Sequence, residues 1–294
     1  MSRVLIVGGS GFIGLHRVQH LRKLKHQVIA VSRARNTGAN YSYVEDISEP
    51  HSLDYILSRK KIDFIENYAS VSTVSASRKN PYYTFKVNVL GTLSVLELAK
   101  EFNIPVLQFT SDKVYGHSPE IPLDEGMFLI PQKGSYEMSK TMQDLLAQSY
   151  KLEGVNVTIV RSANVFGKYD MNSRIIPNTI DSLKNGLSPI IFSNVKSIRQ
   201  YIYVQDLMNA LDLILEKAKG EIVNIGTDEY LAQESVVQII TKLWNEKHHT
   251  NIQPKYEERP NIQELAVQLL NWEKLKSLGF KPKYTFEQGI GEMI

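Results

Sequence analysis

Short apolar runs alternate along this chain with segments whose apolar residues recur at helical spacing. Val4-Leu5-Ile6-Val7 is a continuous run, after which Leu15, Val18, Leu21 and Leu24 recur every third residue, as along one face of a helix. Gln27–Val31, Ile62–Ile65, Ile104–Phe109 and Val155–Val160 are further apolar runs and are predicted as strands. Between them the pattern predicts helices over about Pro50–Arg59, Pro81–Phe102 and Tyr136–Lys151. The second of these has Val87, Leu90, Leu93, Leu96 and Ala99 near core spacing. Strands alternating with helices imply an α/β fold around a parallel sheet. Beyond Gly167 the pattern is less regular: strand-like Pro189–Phe192 and Glu221–Ile225 alternate with helical segments near Ile175–Asn185, Asp206–Ala218 and Glu234–Trp244. The expected division is a dinucleotide-binding domain over residues 1–165 and a substrate lobe over 166–294, with some crossing of the chain between them.

The turns carry the chemistry. Gly8, Gly11 and Gly14 follow the first run and open the first helix. Strand, glycine turn and helix together are the setting of a dinucleotide fingerprint: glycine lets the backbone approach a pyrophosphate, and the helix N-terminus offers it free N–H groups. A chain that prefers NAD has an acidic residue at the end of the second strand, for the ribose 2′-hydroxyl. Here Ser32-Arg33-Ala34-Arg35 stands there instead. Paired guanidinium donors suit a 2′-phosphate, which favours NADP; as plain loop charges the two arginines would only be solvated.

Ser111, Asp112 and Lys113 follow the run at Ile104–Phe109 and are expected at a strand's carboxyl end, where open α/β sheets bind ligands. Tyr136 and Lys140 are four apart, hence on one face of a helix. An ammonium beside a phenol favours phenolate, which would make Tyr136 a usable proton relay. His16 and His20 are also four apart, but no carboxylate accompanies them at ligand spacing, so no metal site is assigned.

Six motifs in order, spanning Val4 to about Pro282, resemble the extended short-chain dehydrogenase/reductases of the NAD-dependent epimerase/dehydratase type, which act on nucleotide sugars. They are Gly8-Gly9-Ser10-Gly11-Phe12-Ile13-Gly14, Asn88-Val89-Leu90-Gly91-Thr92, Ser111 to Gly116, Tyr136 to Lys140, Arg161 to Gly167, and Arg199-Gln200-Tyr201-Ile202-Tyr203-Val204. The resemblance implies a Rossmann-type doubly wound parallel sheet with a smaller C-terminal α/β lobe, and a dimer built on the helix after Pro81. It implies cofactor contacts from Phe12, Ile13, Asp46, Ile47, Tyr68 and Ala69. It implies substrate contacts from Asn88, which would also brace the site from below, and from Asn164, Arg174, Arg199 and Arg259, the arginines as clamps on a nucleotide-sugar diphosphate. In such enzymes Tyr136 would take the C4 hydroxyl proton, Lys140 would tune it and hold the nicotinamide ribose, and Ser111 would support the oxygen. The pair Asp112-Lys113 resembles a subset of sugar 4,6-dehydratases in which Asp protonates the leaving C6 hydroxyl and its neighbour removes the C5 proton. A 4-ketoreductase or 4-epimerase is the alternative, because the chain is short for a dehydratase and Asn271 stands where Asp is common.

Composition narrows the field. The 294 residues carry a formal charge of +3 with dispersed basic residues, which argues against a nucleic-acid surface. With no cysteine, thiol catalysis and disulfides are excluded, and a reducing cytoplasm is the expected location. The first run starts almost at Met1, so no signal peptide is expected, and no apolar run approaches membrane-spanning length.

Overall fold

A computed structural model describes residues 1–34, 37–49, 51–116, 118, 121–130, 134–171, 173–258, 260 and 267–294. Arg35 and Arg259, both singled out above, lie outside the described residues. The strands are β1 (Arg3–Val7), β2 (Gln27–Ser32), β3 (Tyr41–Val44), β4 (Phe64–Asn67), β5 (Val106–Ser111), β6 (Val157–Ser162), β7 (Asn164–Phe166), β8 (Ile190–Phe192), β9 (Ile198–Tyr203), β10 (Ile222–Ile225), β11 (Tyr230–Ala232), β12 (Lys255–Glu257) and β13 (Val267–Gln268). Among the described residues, seven of them form one sheet in the order β10-β6-β5-β4-β1-β2-β3, with every neighbouring pair parallel. This is the doubly wound order, and it reverses between β1 and β4.

The apolar runs are continuous because both faces of this sheet are covered. Val4, Ile6, Val28, Ala30, Leu107 and Phe109 pack into one core, while Leu5, Val7, Ile29, Val31, Ile65 and Val106 pack into another on the opposite face. The chain returns to the sheet late, where β10 pairs with β6. Outside the sheet, β9 pairs with β7, β11 and β13. Among the described residues no helix is long and apolar enough to cross a membrane.

Several expectations need correction. β3 is an additional edge strand; Tyr41–Val44 is largely exposed, so it lacks the apolar run that marks the inner strands. The segment after Pro81 is not one regular helix: α-helix Pro81–Phe85 passes through a π turn at Lys86–Leu90 into α-helix Gly91–Glu101. A π turn advances the helix face, and Leu90 accordingly points outward, 51% exposed, instead of into the core. Leu24 is also 51% exposed, because the helix ends at Lys23 and Leu24 is only its cap. Beyond Gly116, Leu123 is buried with Val114, Tyr115 and Leu270, so part of that connection belongs to the core.

One buried ion pair fixes the helix that matters most. Arg161 on β6 donates to Asp144 through Nε at 2.9 Å and Nη2 at 2.8 Å, and both side chains are essentially sealed from solvent. Asp144 also accepts from Thr110 Oγ1 at 2.9 Å, so helix Ser135–Leu152 is tied to β5 and β6 together. Asp144→Ala leaves a buried guanidinium without its partner and is expected to cost about 3–5 kcal/mol. Urea unfolding measures this, and a loss below about 1 kcal/mol would contradict the assignment.

Candidate active site

The glycine turn lies at the switch point of the sheet. Gly8 has φ +87°, and a Cβ there would stand 2.6 Å from the backbone N of Ala69, at the end of β4. A Cβ on Gly14 would stand 2.2 Å from Gly8 O, and one on Gly11 3.3 Å from the same oxygen. Gly8 and Gly9 both donate to Val31 O, at 2.8 and 3.1 Å, which holds the turn against β2. Helix Phe12–Lys23 then begins at Gly11 with no side-chain cap and no acidic residue in its first turn. Bare N–H groups above a backbone that tolerates close approach suit a pyrophosphate, so the residues present fit a dinucleotide.

The other residues expected around the cofactor are held firmly. Asp46 accepts from Ser48 N at 3.0 Å and Ser48 Oγ at 2.7 Å, and from Tyr83 OH at 2.9 Å. Those bonds outweigh partial burial and hold its carboxyl below the ordinary value. Ile47 is buried beneath Gly91, where any Cβ would meet its Cδ1 at 2.6 Å. Arg33 donates to Tyr83 OH at 2.7 Å and lies 5.6 Å from the ring centroid, while Ser32 Oγ donates to Ala34 O at 2.6 Å. Tyr68 donates to Glu66 Oε2 at 2.5 Å, and Glu66 is itself paired with buried Arg17. His16 and His20 engage different partners, Lys168 O at 2.8 Å and Asp212 Oδ2 at 2.6 Å.

Ser111 ends β5, and Asp112, Lys113 and Tyr115 form the 3₁₀ turn that follows. The Ser111 hydroxyl donates to Asp112 Oδ1 at 2.8 Å, and Lys113 Nζ donates to Asp112 Oδ2 at 3.2 Å. Tyr136 lies near enough to Ser111 and Asp112 for both to act on its phenol, which brings the strand-end motif and the helix motif into one site. Burial lowers the Lys113 amine; Asp112 opposes the shift and Arg199 reinforces it.

The expectation that Lys140 lowers the Tyr136 phenol is reversed. Burial raises Tyr136 above its ordinary value, and the carboxylates of Asp112 and Glu137 add to the rise. Arg174 and the Ser111 hydroxyl act the other way without overcoming it. Lys140 itself is pushed down to about 7 by burial, with repulsion from Arg174 second. An amine whose charged form burial disfavours carries that charge only part of the time near neutral pH, and so does less to stabilise a neighbouring phenolate.

Asn88 lies in the π turn and is fully buried. Its Oδ1 accepts from Val71 N at 2.7 Å, and its Nδ2 donates to Ser139 Oγ at 2.8 Å and Val71 O at 3.2 Å. It thereby joins the loop after β4 to the helix carrying Tyr136. Arg174 donates to Ser72 O at 2.9 Å and stands close enough to Tyr136 and Lys140 to shift both. Asn164 opens β7 and donates to Gln200 O at 3.1 Å, and Arg199 on β9 donates to Ile198 O at 2.9 Å. Sequence reasoning missed Gln268, a lone glutamine on the two-residue strand β13, whose amide reaches the Asp112-Lys113 turn.

The family model of the NAD dependent epimerase/dehydratase family matches residues 4–226. A Methanocaldococcus jannaschii protein provisionally named a UDP-glucose 4-epimerase is 29% identical over 99% of this chain and 97% of its own. The structure of dTDP-glucose 4,6-dehydratase from Bacillus anthracis, in complex with NAD, is 26% identical with a TM-score of 0.86, covering 100% of this chain and 95% of that one. The structure of UDP-glucose 4-epimerase from Thermotoga maritima, with UDP-glucose, shares the fold at a TM-score of 0.89 and 24% identity, covering 99% and 97%. With the doubly wound sheet, the glycine turn and a matching family model over most of its length, this chain belongs to the NAD-dependent epimerase/dehydratase family, whose members are nucleotide-sugar enzymes.

Proposed function

We propose that this chain is a nucleotide-sugar 4,6-dehydratase. The observation that carries the reading is Asp112 in contact with both Ser111 and Lys113, beside Tyr136. A bound nicotinamide, held by the glycine turn, Tyr136 and Lys140, would accept a hydride from C4 of the sugar and return it to C6. Around that exchange the side chains move protons. Tyr136 takes the C4 hydroxyl proton while Ser111 hydrogen-bonds the same oxygen. Lys113, whose amine burial favours uncharged, takes the C5 proton. The proton passes to Asp112 across the 3.2 Å contact and on to the C6 hydroxyl, which leaves as water while the C5–C6 double bond forms; when the hydride returns to C6, C5 takes a proton through Lys113, which balances the one lost from the C4 hydroxyl. Incubation with a panel of nucleotide-hexoses, read by mass, tests this: a dehydratase yields product lighter by one water without net cofactor use. The relatives named as UDP-glucose 4-epimerases favour a second reading, isomerisation at C4, which leaves the mass unchanged. Stoichiometric consumption of NADPH with a 4-keto sugar would instead identify a reductase.

NADP is the proposed cofactor, on the strength of Arg33 and of a β2 that ends without a carboxylate. Arg33→Ala is expected to weaken NADP binding about 10-fold or more, the worth of a charge-assisted hydrogen bond, and to leave NAD binding unchanged. Tighter binding of NAD, indifferent to this substitution, reverses the assignment; calorimetric titration reads both. A homodimer is proposed because the helices Gly91–Glu101 and Ser135–Leu152 pack together and leave Leu90, Met142 and Leu145 exposed nearby. Sedimentation of the protein as a monomer at micromolar concentration overturns that.

A further inference from the structure

Gln268 is 1% exposed, and both ends of its amide are used on the catalytic turn. Oε1 accepts from Lys113 Nζ, and Nε2 donates to the backbone O of Asp112 at 3.2 Å. β13 runs parallel to β9 with Gln268 opposite Arg199, so this residue also stands beside a candidate diphosphate clamp. Among the described residues, the charged groups that act on Lys113 include Asp112 from its own turn, Glu137 from helix Ser135–Leu152 and Arg199 from β9. We propose that Gln268 is a positioning residue: it fixes Lys113 Nζ against Asp112 through a neutral acceptor, so that the lysine is anchored with no negative charge added to those of Asp112 and Glu137. The inference rests on the proposed work of the Asp112-Lys113 pair.

The choice of an amide matters chemically. A carboxylate at the same place would hold the lysine just as well but would stabilise the ammonium, which cannot take a proton. A hydrophobic residue would leave a largely buried amine with one partner fewer. The amide avoids both, and its N–H end, bonded to a backbone carbonyl, keeps the oxygen turned toward Lys113.

Gln268→Glu and Gln268→Leu separate these effects. In Gln268→Glu the added charge is expected to raise the pH at which turnover appears by about 1–3 units, with activity restored at high pH. In Gln268→Leu, kcat is expected to fall roughly 100-fold through misplacement of Lys113, with KM little changed. Gln268→Glu is nearly isosteric and keeps the test sound if the leucine variant does not fold. A wild-type pH profile in Gln268→Glu overturns the proposal. The product of the wild-type enzyme judges the dehydratase reading separately: isomerisation in place of water loss removes that reading, while a shifted profile in Gln268→Glu still sustains the role of Gln268. Unchanged turnover by Lys113→Met removes both.

Discussion

Tyr136→Phe is expected to lower kcat by about 10²–10⁴-fold, the usual worth of a positioned proton-transfer group. The substitution removes one oxygen and leaves the ring, so packing on helix Ser135–Leu152 is preserved. The oxygen that is lost lies near Ser111 and Asp112, and the substrate hydroxyl would then lack the group proposed to take its proton. The glycine turn and Lys140 are untouched and the ring of Tyr136 remains, so cofactor affinity should stay within about twofold, the scale of a few tenths of a kcal/mol. The pH dependence has a definite sign. Because burial raises the Tyr136 phenol, the active phenolate fraction grows as pH rises, and the wild-type rate should climb toward alkaline pH. Product formation followed by mass, with a parallel equilibrium titration of cofactor, checks both parts. Wild-type turnover by the phenylalanine variant would show that another group takes the proton.

How much of this was legible in sequence depends on the kind of signal each part left. The inner strands announce themselves because a strand covered on both faces is apolar at every position, as in Leu5-Ile6-Val7. The glycine turn is legible for a related reason: a backbone approach of 2.2 Å to a would-be Cβ admits no other residue at Gly14. Ser111, Asp112, Lys113, Tyr136 and Lys140 could be listed from a strand end, a helical spacing and the family resemblance, and the structure sets Asp112 against Ser111 and Lys113 with Tyr136 near them. Their ionisation could not be read in the same way. Spacing reports that Lys140 is near Tyr136, but the balance on the phenol is set by burial and by Arg174, which is 38 positions from Tyr136 in sequence (174 − 136 = 38).

Other features were silent because their cause is tertiary. Asn88 occupies a π turn that no apolar period betrays, and only its bonds to Val71 and Ser139 show why the helix is irregular there. The Arg17–Glu66 pair places a glutamate within a buried strand, where polarity alone argues against burial. Gln268 belongs to no motif: a single amide acquires its role from the strand pairing that carries it next to Lys113.

Asp112→Asn is expected to reduce loss of water by about 10²–10⁴-fold while leaving exchange at C5 in place. The carboxamide keeps the size of Asp112 and can still meet Ser111 and Lys113, so the turn should hold. It cannot carry a proton to the C6 hydroxyl, and hydroxide is a poor leaving group without one. Lys113, whose amine burial favours uncharged, can still remove the C5 proton and return a solvent-derived one. In deuterated water the unreacted sugar should therefore gain deuterium at C5 without becoming lighter by water. Lys113→Met should abolish both events, since the base itself is gone. The two variants together separate the roles that a single inactive mutant would confuse. If Asp112→Asn turns over at the wild-type rate and yields an isomer of unchanged mass, the residue takes no part in elimination. The Ser111–Tyr136–Lys140 site is then that of an epimerase on the same sheet.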